Sequence, residues 1–498
     1  MEASAPTTAA AFCVCALGSY GDVKAMLARA DRTSTAGLLL ASTAWQCEGD
    51  VLRAESALRR ALQRASEDDR PYAIDLLAPL LISRHLYTRA AALLGTTALR
   101  SQVFETGRLA LRSIVDAATG AVGLSEREAA AALEAVSRLG DDVLRLRVHQ
   151  RLAMAAYYRS DAAAALQEVR QGLQAARLLR AHRAACTLHS VAYAVHYSVT
   201  GDFDAAWRHA VALGDEAELG GDESCRVLAR VAVYELAVER ADDEHVASAR
   251  AALDAHPLPE RYRERFSAGI ADALRLAWDG RFITCRDVLT ALNHNSGRTD
   301  GERALCRALL ALAGAALEDD EAARRFSRQA ISSSARPQKR IPAYELRYRR
   351  LARALAAVTG EFVGDFVRGR RAADARFLRA DADVAALLDM RSRSSVDQMP
   401  PSVRGYARLV FRVRERLRSR PSSGPLTETE TQIVRLIADG RNAPQIAQIL
   451  NRSPHTVRTH IRNASAKLEA HGRADLIARA RRVGILAQPE SQGTNAAS

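Results

Sequence analysis

The stretch "YSVTGDFDAA", Tyr197 to Ala206, decides the fold, because its order of residue types describes two helices meeting at a tight turn. Tyr197 packs the first helix, Gly201 permits the turn, Phe203 staples the second helix and Ala206 lets the pair approach closely. The same order recurs at Trp45…Gly49-Asp50-Val51…Ala54 and at Leu276…Gly280…Phe282…Cys285, with a weaker copy at Ala356…Gly360…Phe362. Gly201, Gly280 and Gly360 stand 79 and 80 residues apart. Degenerate turns fall between or before them at "RSDAAAA" from Arg159, "RADDEHVA" from Arg240 and "EDDEAA" from Glu318. The underlying period is therefore about forty residues.

Around these turns, from about residue 10 to 385, the sequence is rich in Ala, Leu and Arg, with apolar residues at three- and four-residue spacing. That is helix after helix. The pattern resembles the tetratricopeptide class of helical-hairpin repeat, although longer than its usual unit of about 34 residues. The resemblance implies an all-α solenoid with a concave binding surface. A plain helical bundle is the competing reading, and the holding of the spacing across successive turns favours the solenoid.

A chain of 498 residues, 48% hydrophobic and 26% charged, is long enough for a large core and more than one domain. Its net charge of +13 is unevenly placed: residues 401–498 carry 17 basic and 7 acidic side chains, so +10 lies in the last fifth. A basic end of this kind favours nucleic acid first and an acidic membrane surface second. Lys24, Lys339 and Lys467 are the only lysines. An arginine-dominated charge suits bidentate phosphate or guanine contacts, and genome composition explains it equally well. The seven cysteines are scattered, with no CxxC pair and no zinc spacing, which points to reduced, mostly buried thiols. The N-terminus, "MEASAPTTAA", lacks the basic start of a secretory signal, and no run of about 18 apolar residues exists. A cytoplasmic protein with no membrane partner is expected.

Residues 386–425 change character. Met399-Pro400-Pro401 and "RPSSGP" (Arg420–Pro425) interrupt the helical pattern, and between them Arg404, Arg408, Arg412, Arg416 and Arg420 form a stripe at four-residue spacing. The stripe reads as a solvated face in preference to a phosphate track, and "RPSSGP" reads as a hinge.

Beyond the hinge, Thr427 and Glu430 have the spacing of a capping box, and Ile433, Val434, Leu436 and Ile437 give the first helix its apolar side. Gly440 ends it. Asn442 caps a second, short helix with Ile446, Ala447, Ile449 and Leu450 inward. Ser453 and Pro454 then open a third, in which Val457, Ile461, Ala464 and Leu468 make one apolar stripe. His455, Arg458, Thr459 and Arg462 share the opposite side. Two short helices joined by a turn, the second capped and polar outside, describe a helix-turn-helix. Arginine pairs bidentately with guanine and a threonine methyl touches the thymine methyl.

Leu426-Thr427, Glu430, Gly440, Ile446-Ala447, Leu450, Ser453, Thr456-Val457-Arg458, His460, Lys467-Leu468 and Arg473 together resemble the LuxR-type (GerE-like) helix-turn-helix over Leu426 to Leu486. The resemblance implies four helices, the third reading DNA and the fourth, near Arg473 to Val483, pairing two copies. It places base reading on Arg458, Thr459 and Arg462 and backbone contacts on Thr456, His460 and Lys467. There are departures: Asn442-Ala443-Pro444-Gln445 lacks a basic residue usual before Ile-Ala, Thr429 stands where Arg is usual, and Gln445 stands where Glu is usual. Ala464 replaces a larger aliphatic, and "EAHGR" from Glu469 replaces a Gly-Val turn. A sigma-factor-like region shares part of the spacing but lacks the Lys-Leu pair and the fourth helix.

No GxxxxGK[ST] phosphate loop is present, nor the alternating strands of a receiver domain. His189 and His196, near Tyr193 and Tyr197, read as repeat packing in preference to a ligand pocket. Acidic residues such as those in "GDE" and "DDE" sit at helix starts, where they favour the dipole. No catalytic constellation, metal site or cofactor is expected. The expected organisation is a TPR-like effector region (1–385), a basic linker with a short helix (386–425), the LuxR-type domain (426–486) and a disordered tail (487–498). The expected function is a bacterial transcription regulator. Its expected partners are double-stranded promoter DNA, bound as a homodimer, RNA polymerase, and a protein, peptide or small-molecule effector on the solenoid. The alternative is a helical-repeat scaffold whose helix-turn-helix no longer binds DNA.

Overall fold

The computed structural model describes residues 5–95, 101–256, 258, 265–294, 299–334, 343–363, 382–388, 395–418, 426–468, 470 and 472–486. The tail read at 487–498, the hinge at Arg420–Pro425 and parts of "EAHGR" lie outside them. Among the described residues the chain is all-α, without a strand. It divides into two compact units, Met1–Arg412 and Val413–Ser498.

The first unit opens with α1 (Thr8–Leu17), α2 (Tyr20–Leu27), α3 (Thr35–Cys47), α4 (Val51–Arg64), α5 (Arg70–Ser83) and α6 (Tyr87–Gly95). It continues through α7 (Gln102–Thr119), α8 (Val122–Leu139), α9 (Asp142–Tyr158), α10 (Ala162–Leu179), α11 (His182–Val195), α12 (Phe203–Gly220) and α13 (Glu223–Glu239). Then come α14 (Asp243–Ala255), α15 (Arg265–Trp278), α16 (Phe282–His294), α17 (Asp300–Ala316), α18 (Asp320–Ser334) and α19 (Ala343–Phe362). A short α20 (Ala382–Ala385) follows, and then α21 (Arg404–Arg418), which begins in this unit and ends beyond Arg412.

Helices adjacent in sequence pack as hairpins, as at α7/α8, α9/α10, α11/α12 and α17/α18. Odd-numbered helices also pack on one another, α3 on α5, α5 on α7, α7 on α9, α9 on α11, α13 on α15 and α17 on α19. Runs of odd helices packed in succession are how stacked hairpins build a solenoid, since one hairpin cannot bury its own apolar face.

The turns explain the sequence pattern. Left-handed backbone occurs at Gly120, Gly140, Ser160, Arg180, Gly201, Gly221 and Ala241, every twenty or twenty-one residues, and again at Gly280 and Glu318. One helix plus its turn therefore occupies half of the forty-residue period. The next residue is commonly Asp, and its carboxylate caps the following helix: Asp161 accepts from the Ala164 amide, Asp202 from Ala205, Asp222 from Cys225 and Asp242 from His245. These acids thus act through direct hydrogen bonds to free amides, a more local effect than the dipole reading supplied. The fourth copy is corrected. Gly360 lies within α19, where the Val363 amide still donates to the Thr359 carbonyl, so Ala356…Phe362 is helix and not a turn.

The row of odd helices meets itself, with α1 packed on α11 and α3 on α13. The Arg183 guanidinium of α11 donates to the Cys15 carbonyl at 3.0 Å and pairs with Asp222 at 3.3 Å. Nearby, Phe12 packs on Tyr72 at 5.0 Å, Arg147 lies over the Phe12 ring at 4.5 Å, and Arg147 and Arg151 share the buried carboxylate of Asp75. Cys15 and Cys47 are buried free thiols, and burial pushes them up to about 11 and about 12.

A second buried polar cluster centres on α13. A π-helical turn, His196–Thr200, extends α11 and ends at left-handed Gly201. The Tyr193 hydroxyl donates to Glu235 at 3.0 Å and the Tyr197 hydroxyl to Glu239 at 2.9 Å. Tyr348 of α19 reaches Glu235 at 3.3 Å, and Arg347 donates to Glu239 at 2.9 Å while lying over the Tyr197 ring. His189 Nδ1 lies 2.9 Å from His209 Nδ1, and His196 stacks on His209. The tyrosines and histidines of α11 are thus consumed in packing.

Residues 399–412, inside the span read as a linker, are built into the first unit. Tyr406, Ala407, Leu409 and Val410 are buried. The arginine stripe is only partly a solvated face: Arg408 pairs with Asp243 at 2.6 Å and lies over Trp278 at 4.6 Å, and Arg404 donates to the Met399 carbonyl. Arg412 and Arg416 are exposed.

Candidate nucleic-acid interface

The second unit contains α22 (Glu428–Ala438), α23 (Ala443–Ile449), α24 (Pro454–Lys467) and α25 (Arg473–Arg482). Local chemistry sets each boundary. The capping box Thr427/Glu430 forms, with the Glu430 amide donating to Thr427 Oγ1 at 3.2 Å and the Thr427 amide to Glu430 Oε2 at 2.9 Å. Left-handed Gly440 makes the turn that follows α22. Asn442 and Gln445 make a second capping box, so Gln445 has a local role of its own in this sequence. Ser453 caps α24 by accepting from the Thr456 amide at 3.1 Å.

The core is small. Ile433, Val434, Ile437, Ile446, Ala447, Val457, Ala464, Leu476 and Ala480 are buried together, with Ile461 and Leu468 packed against them. Val457 and Ala464 have no exposure, which fixes the rotation of α24 about its axis. His455, Arg458 and Arg462 therefore stand on its exposed side, with Thr459 between them and half-buried. The Thr459 hydroxyl donates to the His455 carbonyl at 3.2 Å, leaving the methyl as its unbonded end. Thr456 is tied into the helix cap through Ser453, and His460 is half-buried beside it. The structure thus brings Arg458, Thr459 and Arg462 onto one face and sets Thr456 at its N-terminal edge.

Lys467 is placed otherwise than its neighbours. Its ammonium pairs at 2.7 Å with Glu430, whose side chain is 4% exposed, joining the end of α24 to the start of α22. Burial pushes the Glu430 carboxyl up, but the Lys467 ammonium and the Thr427 amide and hydroxyl outweigh it and hold the group below the usual range. Arg473 is equally specific in what it holds. Its guanidinium donates to the carbonyls of Ile437 at 2.9 Å and Arg441 at 3.1 Å, satisfying the C-terminal end of α22 and its turn. Capping alone accounts for Glu430 in the sequence, and neither of these long-range contacts carries a local signal.

Four helices around this core, the second and third joined by a turn at left-handed Asn451 and the third exposing a basic face, define a helix-turn-helix domain. Residues 424–480 match the family model of bacterial regulatory proteins, luxR family, and this C-terminal domain is of the LuxR type. It is 43% identical over 72 residues to "Uncharacterized response regulatory protein YgeK" of Escherichia coli (strain K12), covering 14% of this chain and 49% of that protein. It is 39% identical over 62 residues to "Transcriptional regulatory protein DesR" of Bacillus subtilis (strain 168), covering 12% of this chain and 31% of that protein. The chain spans about half or less of the length of these relatives. The solved P58(IPK) TPR domain aligns over 72% of this chain and 99% of its own, at 13% identity and a TM-score of 0.22. That score is too low to transfer any detail of repeat geometry.

Proposed function

We propose that this protein is a sequence-specific, DNA-binding transcription regulator whose helical-repeat unit controls its C-terminal LuxR-type domain. The observation that carries the reading is the exposed face of α24, with Arg458, Thr459 and Arg462 in line on a helix whose other side is core. On this reading the two guanidiniums take guanine edges and the Thr459 methyl takes a thymine methyl. Thr456, His460 and Lys467 serve the phosphate backbone, Lys467 doing so from within its ion pair with Glu430. The relative named a transcriptional regulatory protein supports the same direction.

The further expectations belong to this proposal. Two copies pair through α25 on promoter DNA, RNA polymerase is a contact, and an effector binds the helical repeats. A cytoplasmic location accords with this, and among the described residues no helix is long and apolar enough to cross a membrane.

The test is a footprint of the full chain on genomic DNA, followed by binding to a selected site and to random duplex. Arg458→Ala and Arg462→Ala are expected each to cost about 1–3 kcal/mol on the selected site and to narrow its advantage over random duplex. Unchanged discrimination sinks the assignment of these residues. One observation favours the second reading, a scaffold that no longer binds DNA: the first turn of α23, Ala443-Pro444-Gln445, offers no cation to a phosphate. Absence of duplex binding even at low salt would decide for it.

A further inference from the structure

The segment between Met399 and Arg412 docks on the helical repeats in an unusual manner. Gly405 presses against the end of α13 so closely that a Cβ there would lie 2.2 Å from the Val238 carbonyl oxygen. Trp278 of α15 donates its indole N–H to the Gly405 carbonyl at 3.0 Å. Tyr406 donates to Glu239 at 2.7 Å, Arg347 to the Ser402 carbonyl at 2.7 Å, and Arg408 closes on Asp243 and the Trp278 ring. The seat is made of α13, the start of α14, α15, α19 and the short α20, whose Asp383 accepts a hydrogen bond from the Ser402 hydroxyl.

What distinguishes this seat from ordinary core is that its buried charges do not need the occupant. With the segment gone, Glu239 keeps Arg347 and the Tyr197 hydroxyl, and Glu235 keeps the hydroxyls of Tyr193 and Tyr348. Undocking therefore strands no buried carboxylate, the cost that ordinarily makes removal of one partner prohibitive. The buried carboxylates of the seat are thus partnered in both states, as a two-state element requires, and what holds the segment down is the Trp278 and Arg347 hydrogen bonds to its carbonyls together with the burial of Val403, Tyr406, Leu409 and Val410.

We propose that residues 399–412 are a releasable latch on the helical-repeat unit, and that their undocking is the conformational step by which that unit acts on the helix-turn-helix domain that follows in the chain. The second half of this statement rests on the DNA-binding reading; the first does not.

The test uses the full chain and hydrogen exchange read by mass spectrometry. Gly405→Ala places a methyl against the Val238 carbonyl, and Tyr406→Phe removes one hydroxyl while keeping the ring. Exchange in 399–412 is expected to rise about tenfold or more in Gly405→Ala and by less in Tyr406→Phe, while α13 and α15 stay protected. Equal loss of protection in α13 and α15 would show the segment to be integral core and overturn the latch, as would unaltered exchange in both variants. Duplex binding of the same proteins tests the coupling. An affinity that shifts in the order of release supports it, and an unshifted affinity in a released variant overturns it. A wild-type chain that binds no duplex defeats the DNA-binding reading and the coupling with it, while the exchange result still decides the latch.

Discussion

Glu430 does two jobs with one carboxylate. It closes the capping box of α22 and holds the Lys467 ammonium from across the domain. Lys467→Met is expected to destabilise the C-terminal domain by about 1–3 kcal/mol, because a buried carboxylate loses its charged donor. Thermal unfolding of the variant beside wild type checks this, and an unchanged midpoint would argue against the strut. The pH dependence follows from the lowered carboxyl: its contribution is present above the ordinary carboxylate range and is lost as pH falls through the lower folded value. Glu430→Gln should therefore flatten the acid limb of the domain's stability curve. Glu235 behaves oppositely. Burial, and then the neighbouring charge of Glu239, raise it to about 7. Its contribution is fully present below the unfolded value and is lost as pH rises through about 7. Wild-type helical repeats should lose protection against exchange between pH 5 and 8, and Glu235→Gln should lose less.

At the scale of elements, only some of the turns were legible, and left-handed Gly120, Gly140 and Gly221 were not, because the large-residue pattern around the other glycines is missing there. Gly49, Gly201 and Gly280 stood out in the sequence, whereas the equivalent left-handed residues at 160, 180 and 241 are Ser, Arg and Ala. Only the Asp that follows two of them, capping the next helix, betrayed those turns. A non-glycine residue held there costs about 1 kcal/mol or more. Ala241→Gly is accordingly expected to stabilise the repeats by up to about 1 kcal/mol, and Gly201→Ala to destabilise them by a similar amount. Chemical denaturation followed by circular dichroism measures both, and a change of the wrong sign at either position would contradict the assignment of strain. The same contrast governs the C-terminal domain. Caps and the apolar stripe of α24 are local patterns and were readable. The hydrogen bonds of Arg473 to Ile437 and Arg441 join residues more than thirty apart, and no spacing rule announces them. Gly360 erred the other way, since a glycine beside apolar residues resembles a turn even where the helix runs through it.

For the molecule as a whole, the basic end of the sequence sets an expectation about salt. If α24 reads DNA, the logarithm of the association constant should fall linearly with the logarithm of salt concentration, with a slope of about 0.9 per phosphate neutralised. Titration of the full chain against duplex between low and physiological salt measures it, and a flat response would remove the electrostatic basis of the proposed function. The segment before the second unit was the least legible part. Met399-Pro400-Pro401 looks like a break between domains, yet the residues after it are held by partners on α13, α14, α15 and α19, all of them far upstream in the chain. Docking of that kind depends on a shared interior and leaves no periodic trace.

The regular spacing of left-handed turns also constrains how such a chain can change its length over generations. Removing or inserting twenty residues would exchange the roles of alternate helices, sending the inward-packing set to the outside and the reverse. Forty restores the phase. In-frame duplications and losses that survive in this unit should therefore come in whole hairpins, and a natural variant shortened by a single helix would have to carry a rewritten pattern of apolar residues along everything that follows.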